Sequence, residues 1–475
     1  MNALVVCANR YRNPLPVMPL GACLAAEAAE RAGHRVSLLD LMFVPRPAEA
    51  LKSALEAARP DLVGFSVRNI DNQDSQSPQS FYPDLQSLIG VVRRHTRAPV
   101  LLGGAAMGVM PEQLLRCTGA DWAALGDGES VFPGVLNALA DGSGARAVPG
   151  VGWLEGKKFL RAEPCCQRPL SACPAPDFPR WLDVRAYRSQ LTPVPVQTKR
   201  GCPFRCVYCT YSGLGGSSYR LAPPGSVAEA VTRYAAAGMP HIEFVDSVFN
   251  APYDHAMAIC ECLARVQHGA LLQSLELSPA TVDDSLLDAM ERAGFNAIGI
   301  TAESAAEPVL RGMRKGFSAQ EVHRAADAVR RRRLPCLWIF LFGGPGETPD
   351  TVRETLRFAS EEVRPGDVLF YNVGVRIYPG TELERMARAE GRLSLPADDM
   401  LAPVTYLSPA LDAQWLAATL REFGSRHLNC INVDSLALSF VPALHRLAAR
   451  VGVRPPLWRH TRLLRSVLRI FNRRY

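Results

Sequence analysis

The chain has 475 residues, 48% of them hydrophobic and 21% charged, with a formal net charge of +7. At about 100 to 200 residues per domain this leaves room for two or three folded domains, which excludes both a small stapled fold and a disordered chain. No apolar run approaches the roughly 20 residues of a spanning helix, and the excess charge sits at the C-terminus instead of along a groove, which argues against nucleic acid as a partner.

Residues 1–9 form a short apolar run with no basic segment before it and no small-residue cleavage site after it, so they predict a first buried strand and not a signal peptide. A cytoplasmic location follows as an expectation. The 13 cysteines, an odd number, are then expected as reduced thiols or metal ligands.

From residue 1 to 141, strand-like runs at 3–8, 35–40, 61–67, 99–103 and 121–125 alternate with helical patterns such as 20–32. Such alternation predicts an α/β domain, doubly wound in the flavodoxin or Rossmann manner, with a parallel sheet covered on both faces. Its ligands belong outside the carboxyl ends of the strands, in the loops 8–19, 66–77, 103–108 and 126–129.

Residues 142–193 are rich in Pro, Gly, Arg and Cys without a sustained period and predict a linker. Cys165, Cys166 and Cys173 lie there, either as ligands of a second metal or as ordinary linker thiols. Alternation resumes over 194–383, with strands expected at 194–198, 241–245, 274–277, 297–301, 334–342 and 368–375 and amphipathic segments at 227–237 and 319–332. Six βα units predict a partial barrel whose chemistry sits at the C-terminal rim of its strands.

Residues 384–475 are expected to be mostly helical. From His445 to Tyr475 there are nine arginines and no acid, and Leu463, Leu464, Val467, Leu468 and Phe471 share one helical face. This basic amphipathic tail either docks on the protein's own body or makes a peripheral contact with an anionic membrane.

The segment KRGCPFRCVYCTYSG (199–213) places Cys202, Cys206 and Cys209 at CxxxCxxC spacing directly after the first barrel strand. One loop can thus present three thiolates to a 4Fe-4S cluster, leaving one iron free to bind a substrate, as a four-cysteine electron carrier cannot. By itself the spacing also fits three ligands of a zinc site completed elsewhere. Tyr208, between the last two cysteines, is placed to shield the cluster edge.

The loop resembles the CxxxCx(aromatic)C signature of the radical S-adenosylmethionine (SAM) superfamily. FVDSVFN (244–250), IGITAES (298–304), LFGGPGET (341–348) and VRIYPGTEL (375–383) are similar to its later strand motifs. The resemblance implies that Tyr208 lies over the adenine, that Glu303 contacts the methionyl or ribose part of SAM, and that Gly343 and Gly344 line the adenine pocket. Lys315 and Gly316 follow as in many members. From the residues alone, the less favoured alternatives are that Glu303 is only a charged strand end and the glycine pair only a turn.

The first domain resembles the cobalamin-binding domain of one radical SAM class, through MPLG (18–21), GHRVSLLD (33–40), LGG (102–104) and GDGE (126–129). The resemblance implies cobalamin contacts at Gly21, Ser66, Arg68, Gly103, Gly104, Gly126 and Glu129; a flavin or an empty relic domain is the alternative. Where some cobalamin proteins carry DxHxxG with a cobalt-binding His, Asp40 here is followed by Leu41 and Met42, so histidine ligation at that site is excluded. His34 is expected to be a structural contact.

Arg68, in SVRNIDNQ (66–73), is expected either beneath the corrin or paired with Asp71 or Asp74. A guanidinium has no free lone pair and cannot ligate a metal, so beneath the corrin it would leave the cobalt under-coordinated. The family implies methyl transfer to an unactivated carbon, with cyclisation or rearrangement, or a non-catalytic cobalamin sensor, as alternatives. A reductase or flavodoxin would supply electrons. The stretches 18–21 and 66–73 most resemble the lipid-biosynthesis subgroup, so a lipid or natural-product small molecule is the expected substrate.

Overall fold

The computed structural model describes residues 1–165, 169–172, 174–433 and 440–470. Strands β1 (Asn2–Cys7), β2 (Arg35–Asp40), β3 (Leu62–Ser66), β4 (Val100–Gly103) and β5 (Trp122–Ala124) form a parallel sheet in the order β2-β1-β3-β4-β5. Side chains alternate across it: Ala3, Val5 and Cys7 meet helices α1 (Leu20–Arg31) and α5 (Gly128–Ala140). Leu4 and Val6 face α2 (Pro47–Ala58), α3 (Tyr82–His95) and α4 (Pro111–Thr118) on the other side. The doubly wound domain is as the alternation predicts.

The stretch expected to be a bare linker contributes structure. β6 (Val151–Glu155) and β7 (Lys158–Arg161) form a hairpin that adds antiparallel to β5. Two short helices, Phe178–Trp181 and Val184–Arg188, then lead to the second domain, and the Tyr187 hydroxyl donates to the Asp40 carboxylate at 2.6 Å.

The second sheet is a seven-stranded parallel arc. β8 (Val194–Val196) is followed by a small antiparallel pair, β9 (Lys199–Arg200) and β10 (Arg220–Leu221), that brackets the cysteine loop. Next come β11 (His241–Phe244), β12 (Leu271–Leu277), β13 (Phe295–Glu303), β14 (Cys336–Phe342) and β15 (Val368–Val373). A second small pair, β16 (Val375–Arg376) with β17 (Thr405–Tyr406), precedes β18 (Cys430–Asn432), which joins the arc beside β15. The order is β18-β15-β14-β13-β12-β11-β8. Thus the region after 383, expected to be mostly helical, also supplies a seventh barrel strand.

Helices pack on the outside of the arc. The one at Ala319–Arg330 starts with a capping box, Ser318 accepting from the Glu321 N–H and Glu321 from that of Ser318, which fixes where this helix begins. Trp338, Phe340 and Phe342 of β14 pack outward with Phe358, leaving Ile339 and Leu341 toward the lumen.

At the C-terminus, Arg465 donates to Cys430 O at 2.5 Å and to Gly424 O at 3.2 Å, and Arg462 to Pro365 O at 3.2 Å. The helix Thr461–Ile470 is therefore docked on the barrel edge through arginines that cap its carbonyls. Leu463 is 67% exposed; Phe471 and the side chains of Val467 and Leu468 lie outside the described residues. Among the described residues no helix is long and apolar enough to cross a membrane.

Candidate functional site

The two domains meet at the carboxyl ends of both sheets, and buried polar contacts fix how they meet. Asp71, on the loop after β3, forms an ion pair with Arg376 at 2.9 Å, both side chains nearly inaccessible. Ser75 Oγ donates to Val373 O at 2.7 Å and Gln73 Nε2 to the Tyr378 hydroxyl at 2.8 Å. On the opposite side, Arg200 reaches Glu129 at 2.5 Å and Asp127 at 3.2 Å, and Arg220 reaches Asp127 at 2.6 Å.

Between these anchors lies a cavity of about 280 Å³. Gly21, Ser66, Gly103, Gly104, Gly126 and Glu129 all line it, so the structure brings together every residue expected at the first-domain ligand except Arg68. Barrel residues Gln197, Arg200, Gly201 and Tyr211 close it from the other side. At Gly21 a Cβ would meet nothing within 4 Å, and the space it would fill belongs to the groove beside α1. At Gly104, with φ +94°, a Cβ would stand 2.5 Å from Val67 O, so only glycine lets these two loops touch.

This cradle of backbone and small apolar side chains fits the narrow tail of a corrinoid, and no histidine lines it. His34 bonds Asn137 Oδ1 at 3.0 Å, a structural contact as expected. The Glu129 carboxylate is committed to Arg200, so its part in the cavity is as a paired wall and not as a free acid. Cys165 abuts Gly126, whose Cβ would meet that of Cys165 at 2.9 Å; Cys166 and Cys173 lie outside the described residues.

Asp71 is taken by Arg376, and Asp74 accepts the backbone N–H groups of Gln76 and Ser77 at 2.8 and 2.9 Å. Arg68 has no ion-pair partner among the described residues. Burial lowers its pKa, opposed by the charges of Glu243 and Tyr211, both barrel residues. Arg68 is itself exposed and lines a groove with Asn9, Arg10, Tyr11 and Phe81, near enough to the barrel for those two charges to reach it.

The cysteine loop is held from below by the second-strand motif. Asp246 accepts from Thr198 N at 2.7 Å, Thr198 Oγ1 at 2.5 Å and Lys199 N at 3.1 Å. Gly201, at φ +87°, lets the chain turn against Ser218, whose carbonyl would be 2.0 Å from a Cβ. Cys202 N donates to Gly216 O at 3.0 Å, Cys209 N to Cys206 O at 3.1 Å, and Tyr211 N to Cys209 Sγ at 3.4 Å.

Burial, then the neighbouring Cys206 and Cys202 charges, push the Cys209 thiol up to about 11, so iron would be needed to hold it as a thiolate. Among the described residues no three His, Cys, Asp or Glu groups are drawn together as a metal-binding set, the three loop cysteines included. Three thiols on one loop are the donor set of a cluster with one iron left open.

Tyr208 and Glu303 come together beside this loop. The Tyr208 hydroxyl donates to Glu303 Oε1 at 2.7 Å, and Lys315 Nζ donates to both, at 3.0 and 3.1 Å. Burial alone would lower the Lys315 pKa, but Glu303, Tyr208 and Cys206 raise it well above its usual value. Glu303 has φ +63°, a left-handed backbone for a non-glycine residue, which marks a position over-determined by its surroundings.

Gly343 and Gly344 serve packing: a Cβ at the first would stand 2.7 Å from Leu407 Cδ1, and at the second 2.0 Å from Met313 Cε. Any ligand contact they make is through the backbone. The loop they form is tied by Glu347, which accepts the Gly343 N–H and whose burial raises its pKa to about 8.

Sequence reasoning missed Glu243 and Glu276, on neighbouring strands β11 and β12. Burial, Glu303 and Glu243 together raise Glu276 to about 8, and burial raises Glu243 against the opposing Gln273 and Arg68. The signal was present: carboxylates inside apolar parallel strands, HIEF and SLELS, at positions whose neighbours face the core.

Comparison with known proteins bears on both domains. The radical SAM superfamily matches residues 196–359, and the B12 binding domain matches residues 12–136. The chain is 24% identical over 428 residues to the tryptophan 2-C-methyltransferase of Streptomyces laurentii, covering 77% of this chain and 71% of that one. It is 30% identical over 269 residues to the hopanoid C-3 methylase of Methylococcus capsulatus, covering 53% and 46%. The fold is that of the radical S-adenosylmethionine methyltransferase TsrM from Kitasatospora setae, solved with cobalamin and a [4Fe-4S] cluster, at TM-score 0.85, 22% identity and 99% of each chain.

Proposed function

We propose, from the premise that this chain belongs to the cobalamin-dependent radical SAM family, that it is a methyltransferase acting on a carbon of a small-molecule substrate. The observation that carries this reading is the shared cavity: its first-domain wall of Gly21, Gly103 and Gly126 faces Gln197, Gly201 and Tyr211, the residues that flank the cysteine loop. When bound, the cluster with SAM supplies reductive cleavage and the cobalamin a transferable methyl group.

The protein's part is placement. Cys202, Cys206 and Cys209 would hold the cluster at the barrel rim. Tyr208, Glu303 and Lys315 form a fixed polar wall beside it, suited to hydrogen-bonding the amino-acid or ribose portion of SAM. Arg68, which cannot ligate a metal, would cover the lower face of the corrin and keep water from it. The names of the two curated relatives, one acting on tryptophan and one on a hopanoid, leave an amino-acid-like or a lipid substrate open.

Anaerobic reconstitution with iron, sulfide, hydroxocobalamin, SAM and a reductant tests the reading by product analysis. Methyl transfer coupled to radical formation gives S-adenosylhomocysteine together with 5′-deoxyadenosine; cyclisation gives no S-adenosylhomocysteine. Failure to consume SAM with any candidate substrate would favour a cobalamin sensor instead.

A further inference from the structure

The lumen of the barrel carries an electrostatic imbalance. Glu243, Glu276 and Glu303 stand on three neighbouring strands, and two cations face them. Lys315 is paired with Glu303 at 3.1 Å. Arg68 acts on Glu243, which also accepts from Gln273 Nε2 at 2.6 Å. Glu276 makes no side-chain hydrogen bond or ion pair among the described residues.

Glu276 is partly accessible, and because Leu277 beside it packs into the core outside the sheet, the Glu276 side chain faces the lumen. Across the neighbouring strands Thr301, Ile339 and Phe370 stand in one register row, partly accessible like Glu276 and uncharged, and the positive charge that reaches it, Lys315, is already paired with Glu303. An enclosed carboxylate without a partner is costly, and native proteins keep one where a ligand completes it. Burial and two like charges oppose its ionisation, and Lys315, shared with Glu303, offsets them only in part.

We propose that this lumen selects a substrate whose compact apolar body carries a positively charged nitrogen, and that Glu276 is the residue that binds that nitrogen. The inference rests on the methyltransferase reading above and narrows it, since a neutral hydrocarbon lipid would leave Glu276 unpaired against apolar surface. SAM, itself a cation, is the competing partner for Glu276.

The test uses the protein reconstituted with cluster and cobalamin. A fragment set of aromatic and alicyclic primary amines, each paired with its N-acetyl isostere, is screened by affinity-selection mass spectrometry, with SAM binding measured in parallel. Wild type and Glu276→Asp retain amines over their isosteres. Glu276→Gln loses that preference by about tenfold or more, the scale of one charge-assisted contact, with SAM affinity unchanged. Equal retention of amines and isosteres by wild type, an intact preference in Glu276→Gln, or a loss confined to SAM each overturns the proposal. Because the readout is binding, absent methyl transfer alongside intact amine selection would count against the methyltransferase reading and leave the role of Glu276 standing.

Discussion

Replacing Gly201 by alanine should dismantle the cluster site without unfolding the barrel. At φ +87° an alanine pays about 1 to 2 kcal/mol for the left-handed backbone alone. Its Cβ would also stand 2.0 Å from Ser218 O, where real Cβ contacts stay beyond about 3.0 Å, so the backbones must part by about 1 Å. Neither atom is the end of a flexible side chain, and Cys202 is the next residue, so the shift passes directly into the first thiolate. Displacements of about 1 Å at a reacting centre cost roughly a hundredfold in rate.

Anaerobic reconstitution followed by iron and sulfide analysis, with electron paramagnetic resonance of the reduced protein, reads the outcome. Gly201→Ala should incorporate clearly less cluster and cleave SAM about a hundredfold more slowly. Gly225→Ala, where a Cβ meets nothing within 4 Å, should match wild type. A Gly201→Ala protein with full cluster content and normal turnover would refute the claim that this turn sets the loop.

Asp71→Asn removes one partner of an ion pair whose side chains are 0% and 5% exposed, so urea unfolding should show a loss of about 3 to 5 kcal/mol in whichever transition reports the domain junction. Glu347, with a folded pKa raised to about 8, binds a proton in the native state that the unfolded chain releases above its ordinary carboxylate range of about 4.3. Its contribution to stability therefore falls as pH rises from about 4.3 to about 8, and Glu347→Gln should flatten the pH dependence of the thermal midpoint across that window. Glu129→Gln and Arg200→Met, alone and together, should weaken hydroxocobalamin binding, followed by its absorption bands, with a coupling of about 1 kcal/mol or more; strict additivity would show that the pair does not shape the cavity.

The parts of the fold that could be read beforehand are those where local pattern and tertiary role agree. Parallel strands covered on both faces, such as Val100–Gly103 and Cys336–Phe342, announce themselves as short apolar runs. The hairpin Val151–Glu155 and Lys158–Arg161 is half exposed and interrupted by charge, and it is a strand pair because β5 offers it an edge. Cys430–Asn432 has three residues and becomes a strand only through β15.

The cysteine loop was visible because its three cysteines are close in sequence, and the glycines of the first domain because they fall at strand ends, where such sheets open. Arg68, Glu243 and Glu276 come from three elements, and what surrounds each is set by segments distant in sequence, which no local window contains. The same holds for Gly343 and Gly344, whose lack of side chains answers to Leu407 and Met313 from distant segments.

The two polar anchors at the domain junction bear on how this chain could be recombined with others. Asp71 answers to Arg376, and Asp127 and Glu129 answer to Arg200 and Arg220. A chimera that imports a foreign first half must bring those three acids with it or strand three arginines away from water, so the halves are exchangeable only as matched sets.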